Sequence, residues 1–190
     1  QSHIKPDNSD QTIDITIYNI IKYFQLTMEC NPNMIDSLFV SERCVLHSTK
    51  IGDMVRDNRK LFLHKGAWHK FKGYAFSSLH KAKSKNPIGK RKETVEKYGW
   101  DVKFGYHVVR LISQIEQILT EGDLDLEEKG RREMMKAIRR GDWKLEQVEE
   151  WFYEREKTLG NLYHSSALPY SPDENAIKQL LIDCLEEYYG

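Results

Sequence analysis

The stretch Asp101-Val102-Lys103-Phe104-Gly105-Tyr106-His107-Val108-Val109-Arg110-Leu111-Ile112-Ser113-Gln114-Ile115 decides how this chain is read. Asp101 is a helix cap, and the helical pattern runs on to Glu121, where Gly122 closes it. At about 100° per residue, Lys103, His107, Arg110 and Gln114 fall on one stripe. Phe104, Val108, Leu111, Ile112 and Ile115 occupy the other faces, with Tyr106 and Val109 on the flank. A helix apolar over most of its circumference is covered by protein. Its cationic stripe must then meet an anion or a cleft, because unpaired buried charge is costly. Phosphate fits that demand: Arg offers a planar fork, Lys a point charge, and a His crowded by both stays neutral and donates one hydrogen bond. The competing reading is a salt-bridge face against the acidic last third, at Glu146, Glu149 or Glu150.

The rest of the chain extends this helical character. Gln1 to Gln11 is polar and reads as a loop, followed by Thr12 to Ile17, whose alternating β-branched residues read as a short strand. A helix from Tyr18 to about Cys30 places Ile17, Ile20, Ile21, Phe24 and Met28 on one face. Asn31-Pro32 caps a second short helix reaching Phe39. Further helices are expected over 51–59, opened by Ser48 or Thr49, and over 65–83, with Trp68, Phe71, Ala75, Leu79 and Ala82 facing inward. Residues 83–92 contain Asn86-Pro87 and Gly89 and read as a basic loop. Lys129 to Arg140, closed by Gly141, then Lys144 to about His164, complete the pattern with a last helix capped at Ser171 with Pro172 at its first position.

Composition narrows the class. Of 190 residues, 39% are hydrophobic and 11% aromatic, the profile of a packed chain rather than a disordered one. No apolar run is long enough for a membrane span, so no membrane partner is expected. Cys30, Cys44 and Cys184 are scattered without metal-ligand spacing, which argues for a reducing, cytoplasmic setting and for each cysteine being buried and apolar. The net charge of zero hides a division: residues 60–110 carry 13 Lys/Arg against 3 Asp/Glu, residues 111–190 carry 10 against 18. The basic block either attracts phosphates and nucleic acid or docks on the acidic third.

Two other features invite chemistry. Asp14, between Ile13 and Ile15, points to the opposite face of its strand from the isoleucines, as metal-binding carboxylates of phosphoryl-transfer enzymes do. One carboxylate is no two-metal site, and a surface Asp is the plainer reading. His80 and the basic residues Lys81, Lys83, Lys85, Lys90, Arg91 and Lys92 form either a solvated face or a track for a phosphate backbone.

In order, Asp14-Ile-Thr, Ile21-Lys22-Tyr-Phe, Asn31-Pro-Asn-Met-Ile-Asp36-Ser-Leu-Phe39, Gly73-Tyr74-Ala75, Gly99 to Leu111, Glu116 to Gly122, Ala137-Ile-Arg139-Arg-Gly141 and Leu168-Pro169 resemble the nucleotidyltransferases of the DNA polymerase beta superfamily that include RNA-repair-pathway members and phage relatives. The resemblance implies a mainly α chain: the end of an α/β nucleotidyltransferase core with short strands over 1–48, then a helical domain over 49–190. It implies Mg²⁺ and ATP or another nucleoside triphosphate. It places Asp14 as a catalytic and metal-binding carboxylate, and Lys22, Asp36, Tyr74, Lys103, His107 and Arg110 along the nucleotide cleft. Asp36 stands where Glu is more usual. The family's Gly-Ser turn and paired Asp-x-Asp are expected upstream of Gln1.

The function so implied is Mg²⁺-dependent transfer of a nucleoside monophosphate from a triphosphate to a hydroxyl, such as an RNA end, with the Lys81–Lys92 segment following RNA or another nucleic acid. The alternative is a non-catalytic nucleotide- or nucleic-acid-binding helical module.

Overall fold

Side chains that can accept a hydrogen bond sit where backbone N–H groups would go unpaired, and they set most helix starts. In the computed structural model, which describes residues 2–4, 13–83, 90–127 and 129–190, and of residues 2–4, 13, 14, 90 and 129 the backbone alone, Asn19 caps α1 (Ile20–Met28) through the amide of Lys22. Asn31 caps α2 (Pro32–Leu38), Thr49 caps α3 (Lys50–Asp57), and Asp101 caps α6 (Val102–Glu121). Between them lie α4 (Ala67–Ala82) and α5 (Lys90–Tyr98), and α7 (Lys129–Arg140), α8 (Leu145–Ser165) and α9 (Glu174–Tyr189) follow. The chain is therefore mainly helical. The backbones of β1 (Ser2–Ile4) and β2 (Ile13–Ile15) pair antiparallel, with His3 opposite Asp14.

The helix α6 is the axis of the packing. Val108, Ile112, Ile115 and Ile118 are fully buried, and α4, α7 and α8 cover it on successive sides. Phe71, Ala75 and Leu79 of α4 are buried, as are Val148, Phe152 and Leu159 of α8. The first helices join the same core: Phe24 of α1 meets Phe62 edge to face at 5.4 Å, and Ile35 and Leu38 are buried with them. Lys65 is buried too, its amide donating to the carbonyl of Pro169 at 2.8 Å and its ammonium lying 4.3 Å from the Tyr170 ring centroid. That ties the turn before α9 to the turn before α4.

Several local expectations need correcting. Ile17 and Ile21 do not join the core; they are 87% and 52% exposed, because α1 starts only at Ile20 and turns Ile21 outward. Lys90, Arg91 and Lys92 belong to α5, not to a loop, and residues 84–89 lie outside the described residues. The last helix is capped by Asp173, whose side chain accepts from the amide of Ala176, rather than by Ser171. Cys44 is exposed, whereas Cys30 and Cys184 are buried, and burial pushes the Cys30 thiol up to about 12.

Two glycines hold close approaches. A Cβ on Gly105 would enter the Trp100 ring, and one on Gly141 would enter the Tyr98 ring. Gly141 also has φ +82°. Gly141→Ala should cost about 1–2 kcal/mol from the left-handed backbone alone, with the ring contact adding to it. Gly160, in mid-helix with open space around it, should do the opposite: Gly160→Ala gains about 0.5–1 kcal/mol. Urea midpoints of the two variants, moving in opposite directions from the parent, check the pair.

Candidate functional site

The stripe on α6 divides into an inner and an outer half. Inside, Gln114 is 2% exposed and Arg110 is half-buried. Each would be costly there without a partner. Asp36 of α2 supplies it: its Oδ2 accepts from Arg110 Nη1 at 2.7 Å and its Oδ1 accepts from Gln114 Nε2 at 2.8 Å. Burial pushes the Asp36 carboxyl above its ordinary value, while Arg110, Gln114 and Arg131 pull it back down. Arg110 Nε and Gln114 Oε1 remain buried without a hydrogen-bond partner among the described residues. The stripe's ionic partner is thus Asp36 and not the acidic last third, whose Glu149 is engaged by Lys83.

Outside, Lys103 is exposed and makes no ion pair among the described residues. His107, one turn on, is partly buried between Phe104 and Tyr106, with ring centroids at 6.4 and 5.4 Å. Burial, then the charges of Arg110, Lys103 and Arg139, push its imidazole down to about 4, with Asp101 opposing them weakly. At neutral pH this ring is uncharged and has one N–H to give. Around it, Arg91 lies 4.7 Å and Lys81 5.9 Å from the Phe104 ring centroid. Of the basic segment, Lys83 and Lys92 are paired, with Glu149 and Glu96, and Arg91 stands 4.0 Å from Asp101.

The other expected site residues fall elsewhere. Tyr74 of α4 is 47% exposed, and its hydroxyl receives the Asn31 Nδ2 at 3.5 Å, so it touches the cap of the helix that carries Asp36. Lys22 is exposed on α1, with its side chain unpaired among the described residues. Asp14 has its backbone in β2. The structure therefore brings Asp36, Arg110 and Gln114 together, sets Lys103 and His107 beside them, and leaves Lys22 apart.

One Asp-x-Asp triplet exists in the chain, Asp123-Leu124-Asp125, in a polar cleft of about 390 Å³ beyond the end of α6. Its carboxylates are already committed. Asp123 pairs with Lys60 at 2.6 Å and accepts from the amide of Leu124, while Asp125 accepts from the amide of Glu127. Among the described residues there is no group of three His, Cys, Asp or Glu side chains arranged to hold a metal ion. No helix there is long and apolar enough to cross a membrane.

The profile of the RNA repair pathway DNA polymerase beta family matches residues 3–141. The chain belongs to this family. The match takes in Asp14, the Asp36–Arg110–Gln114 network, the Lys103–His107 wall and the whole of α7. No curated protein and no solved structure matches the chain. Membership explains the order of motifs along the chain, from Asn31-Pro32 to Arg139-Arg140-Gly141. Sequence reading placed Gln114 on the stripe but missed that it shares Asp36 with Arg110, and its polar position among isoleucines was the available sign.

Two measurements test this geometry. The His107 ring protons, followed by NMR, should titrate near pH 4 and not near the usual 6.5. Below pH 6.5 an unfolded His takes a proton the folded one refuses, so this residue makes stability fall as pH drops from 6.5 toward 4. In a double-mutant cycle, Asp36→Ala and Arg110→Ala should each cost about 2 kcal/mol, and together clearly less than the sum.

Proposed function

We propose that this chain serves a nucleotidyltransferase that moves a nucleoside monophosphate from ATP or another triphosphate to a hydroxyl of RNA. The observation that carries the reading is the open, cationic Lys103–His107 wall within a member of the RNA repair pathway DNA polymerase beta family. Residues 1–48 are read as the end of an α/β nucleotidyltransferase core, with residues 49–190 as the helical domain that supplies this wall.

In this reaction the acceptor hydroxyl oxygen bonds to the α-phosphorus, the bond from that phosphorus to the bridging oxygen breaks, and pyrophosphate leaves. Asp14 takes the hydroxyl proton. Lys103 sets a positive charge against the triphosphate, and neutral His107 donates a hydrogen bond to a phosphate oxygen. Arg110 adds its charge from behind, held in place by Asp36. Tyr74, which touches the cap of the helix that carries Asp36, borders the same cleft. Lys22 stands apart and is given no role, and the described basic residues Lys81, Lys83, Arg91 and Lys92 are assigned to the acceptor strand. Mg²⁺ accompanies such transfers, but the described residues offer no complete donor set for it. Its ligands other than Asp14 are assigned to the family's paired carboxylates. Charge borne by donors fixed in advance needs no reorganisation as charge develops, which is what a phosphoryl-transfer wall must supply.

The test is transfer of labelled nucleotide from a triphosphate to an oligoribonucleotide by the full-length protein. Asp14→Ala should lower the rate about 100-fold or more with the thermal melt unchanged. Normal turnover in that variant would remove Asp14 from the mechanism, and no transfer by the parent protein would remove the transfer reading itself.

A further inference from the structure

The Ala137-Ile138-Arg139-Arg140-Gly141 motif has no part in the reading above, yet the fold delivers it to the same place. Ile138 is fully buried, within reach of the position a Cβ on Gly105 would occupy, and Gly141 ends α7 against Tyr98 of α5. This packing brings Arg139 over α6, its guanidinium carbon 4.4 Å from the Tyr106 ring centroid. The Tyr106 and His107 rings are 5.4 Å apart, so guanidinium and imidazole lie within about 10 Å of one another. The charge of Arg139 is among those that oppose protonation of His107.

Neighbouring cations of α7 are neutralised. Arg140 donates to Asp142 at 3.0 and 2.8 Å, and Lys136 pairs with Glu133 at 2.7 Å. Arg139 and Lys103 are exposed and make no ion pair among the described residues. Lys103 also stands in the first turn of α6, which contains no acidic residue and where the helix end is already positive. Arg110, by contrast, is tied to Asp36.

We propose that Lys103, His107 and Arg139 form a phosphate-binding site spanning α6 and α7. A planar fork, a point charge and a neutral N–H donor suit an anion with several oxygens and more than one negative charge; a carboxylate would leave a cation uncompensated. Tyr106 is the platform that keeps the guanidinium in position. The ligand is a phosphate group, either the triphosphate of a nucleotide or a terminal phosphate of an RNA strand. The site deepens the transferase reading and rests on it only for this choice of sources.

The experiment is calorimetric titration of the full chain with inorganic tripolyphosphate. Arg139→Ala and Lys103→Ala should each weaken binding about tenfold, Arg139→Lys should recover part of the loss, and Lys136→Ala should change it less than about twofold. Thermal melts confirm that each variant is folded. Displacement of tripolyphosphate by ATP assigns the site to a nucleotide, and displacement by a 5′-phosphorylated oligoribonucleotide assigns it to RNA; either supports the site. The proposal is overturned if the parent does not bind tripolyphosphate, if Arg139→Ala and Lys103→Ala bind like the parent, or if Lys136→Ala weakens binding as much as they do. Because binding needs no turnover, absence of transfer by the full-length parent sinks the transferase reading and leaves the site, while unchanged binding in Arg139→Ala sinks the site alone.

Discussion

One carboxylate, that of Asp36, makes the central helix possible. Helix α6 is wrapped by α4, α7 and α8, so any polar group on its inner faces must be satisfied by protein. Arg110 and Gln114 are such groups, and Asp36 gives one oxygen to each. The arrangement joins α2 to α6 across 74 and 78 residues of sequence. Removing a single member would leave a buried charge or amide uncompensated, which costs more than the intact network contributes in net stability. The carboxyl stays above its ordinary value because burial outweighs the attraction of its partners. The network is a demand of the fold that has been met, and it fixes the direction in which the rest of the stripe faces.

With the inner half of the stripe satisfied, the outer half keeps its charge. Glycine is the means by which other helices reach it. Without a side chain at Gly105, the Trp100 ring lies against α6, and without one at Gly141, α7 ends against Tyr98. The ends of α5 and α7 therefore meet the start of α6, and they bring Arg91 and Arg139 to rings on that helix. Burial first, and then the charges of Arg110, Lys103 and Arg139, disfavour the protonated imidazole, which is why His107 is pushed down to about 4. Neutral histidine among fixed cations is a hydrogen-bond donor that adds no repulsion of its own.

Features that act over one or two turns were legible in the sequence. Asn31-Pro32, Asp101, Gly122 and Gly141 mark helix ends at the positions where the structure has them, and Thr49 is one of the two caps offered for α3, because a cap depends on neighbours three or four residues away. The stripe itself was legible for the same reason. Its partner was not: that Asp36 meets Arg110 depends on how α2 packs on α6, and no local pattern encodes it. The start of α5, Lys90 to Lys92, reads as loop because Asn86-Pro87 and Gly89 precede it, and Lys90 to Tyr98 show too little apolar periodicity to mark a helix. Ile17 and Ile21 looked like core by spacing, but Asn19 starts the helix late and turns them outward. The role of Arg139 was hidden because it depends on a ring from another helix.

The charge division along the chain shows why the open wall lies where it does. Part of the basic block does dock on the acidic third: Lys60 with Asp123, Lys72 with Glu156 and Lys83 with Glu149. These pairs are half-exposed and contribute little each. Their effect is to cancel charge between α4 and α8 and between Lys60 and the segment that follows α6, leaving the excess at the start of α6. A lysine in the first turn of a helix is opposed by the helix dipole, and Asp101 offsets this only by capping the Lys103 amide. Folding alone would favour an acid there. A cation held at the positive end of a helix, beside a histidine whose protonation it helps to oppose, costs stability at that point and raises the local potential. A raised potential of this kind is relieved by a multiply charged anion, which is the demand that the proposed phosphate site meets.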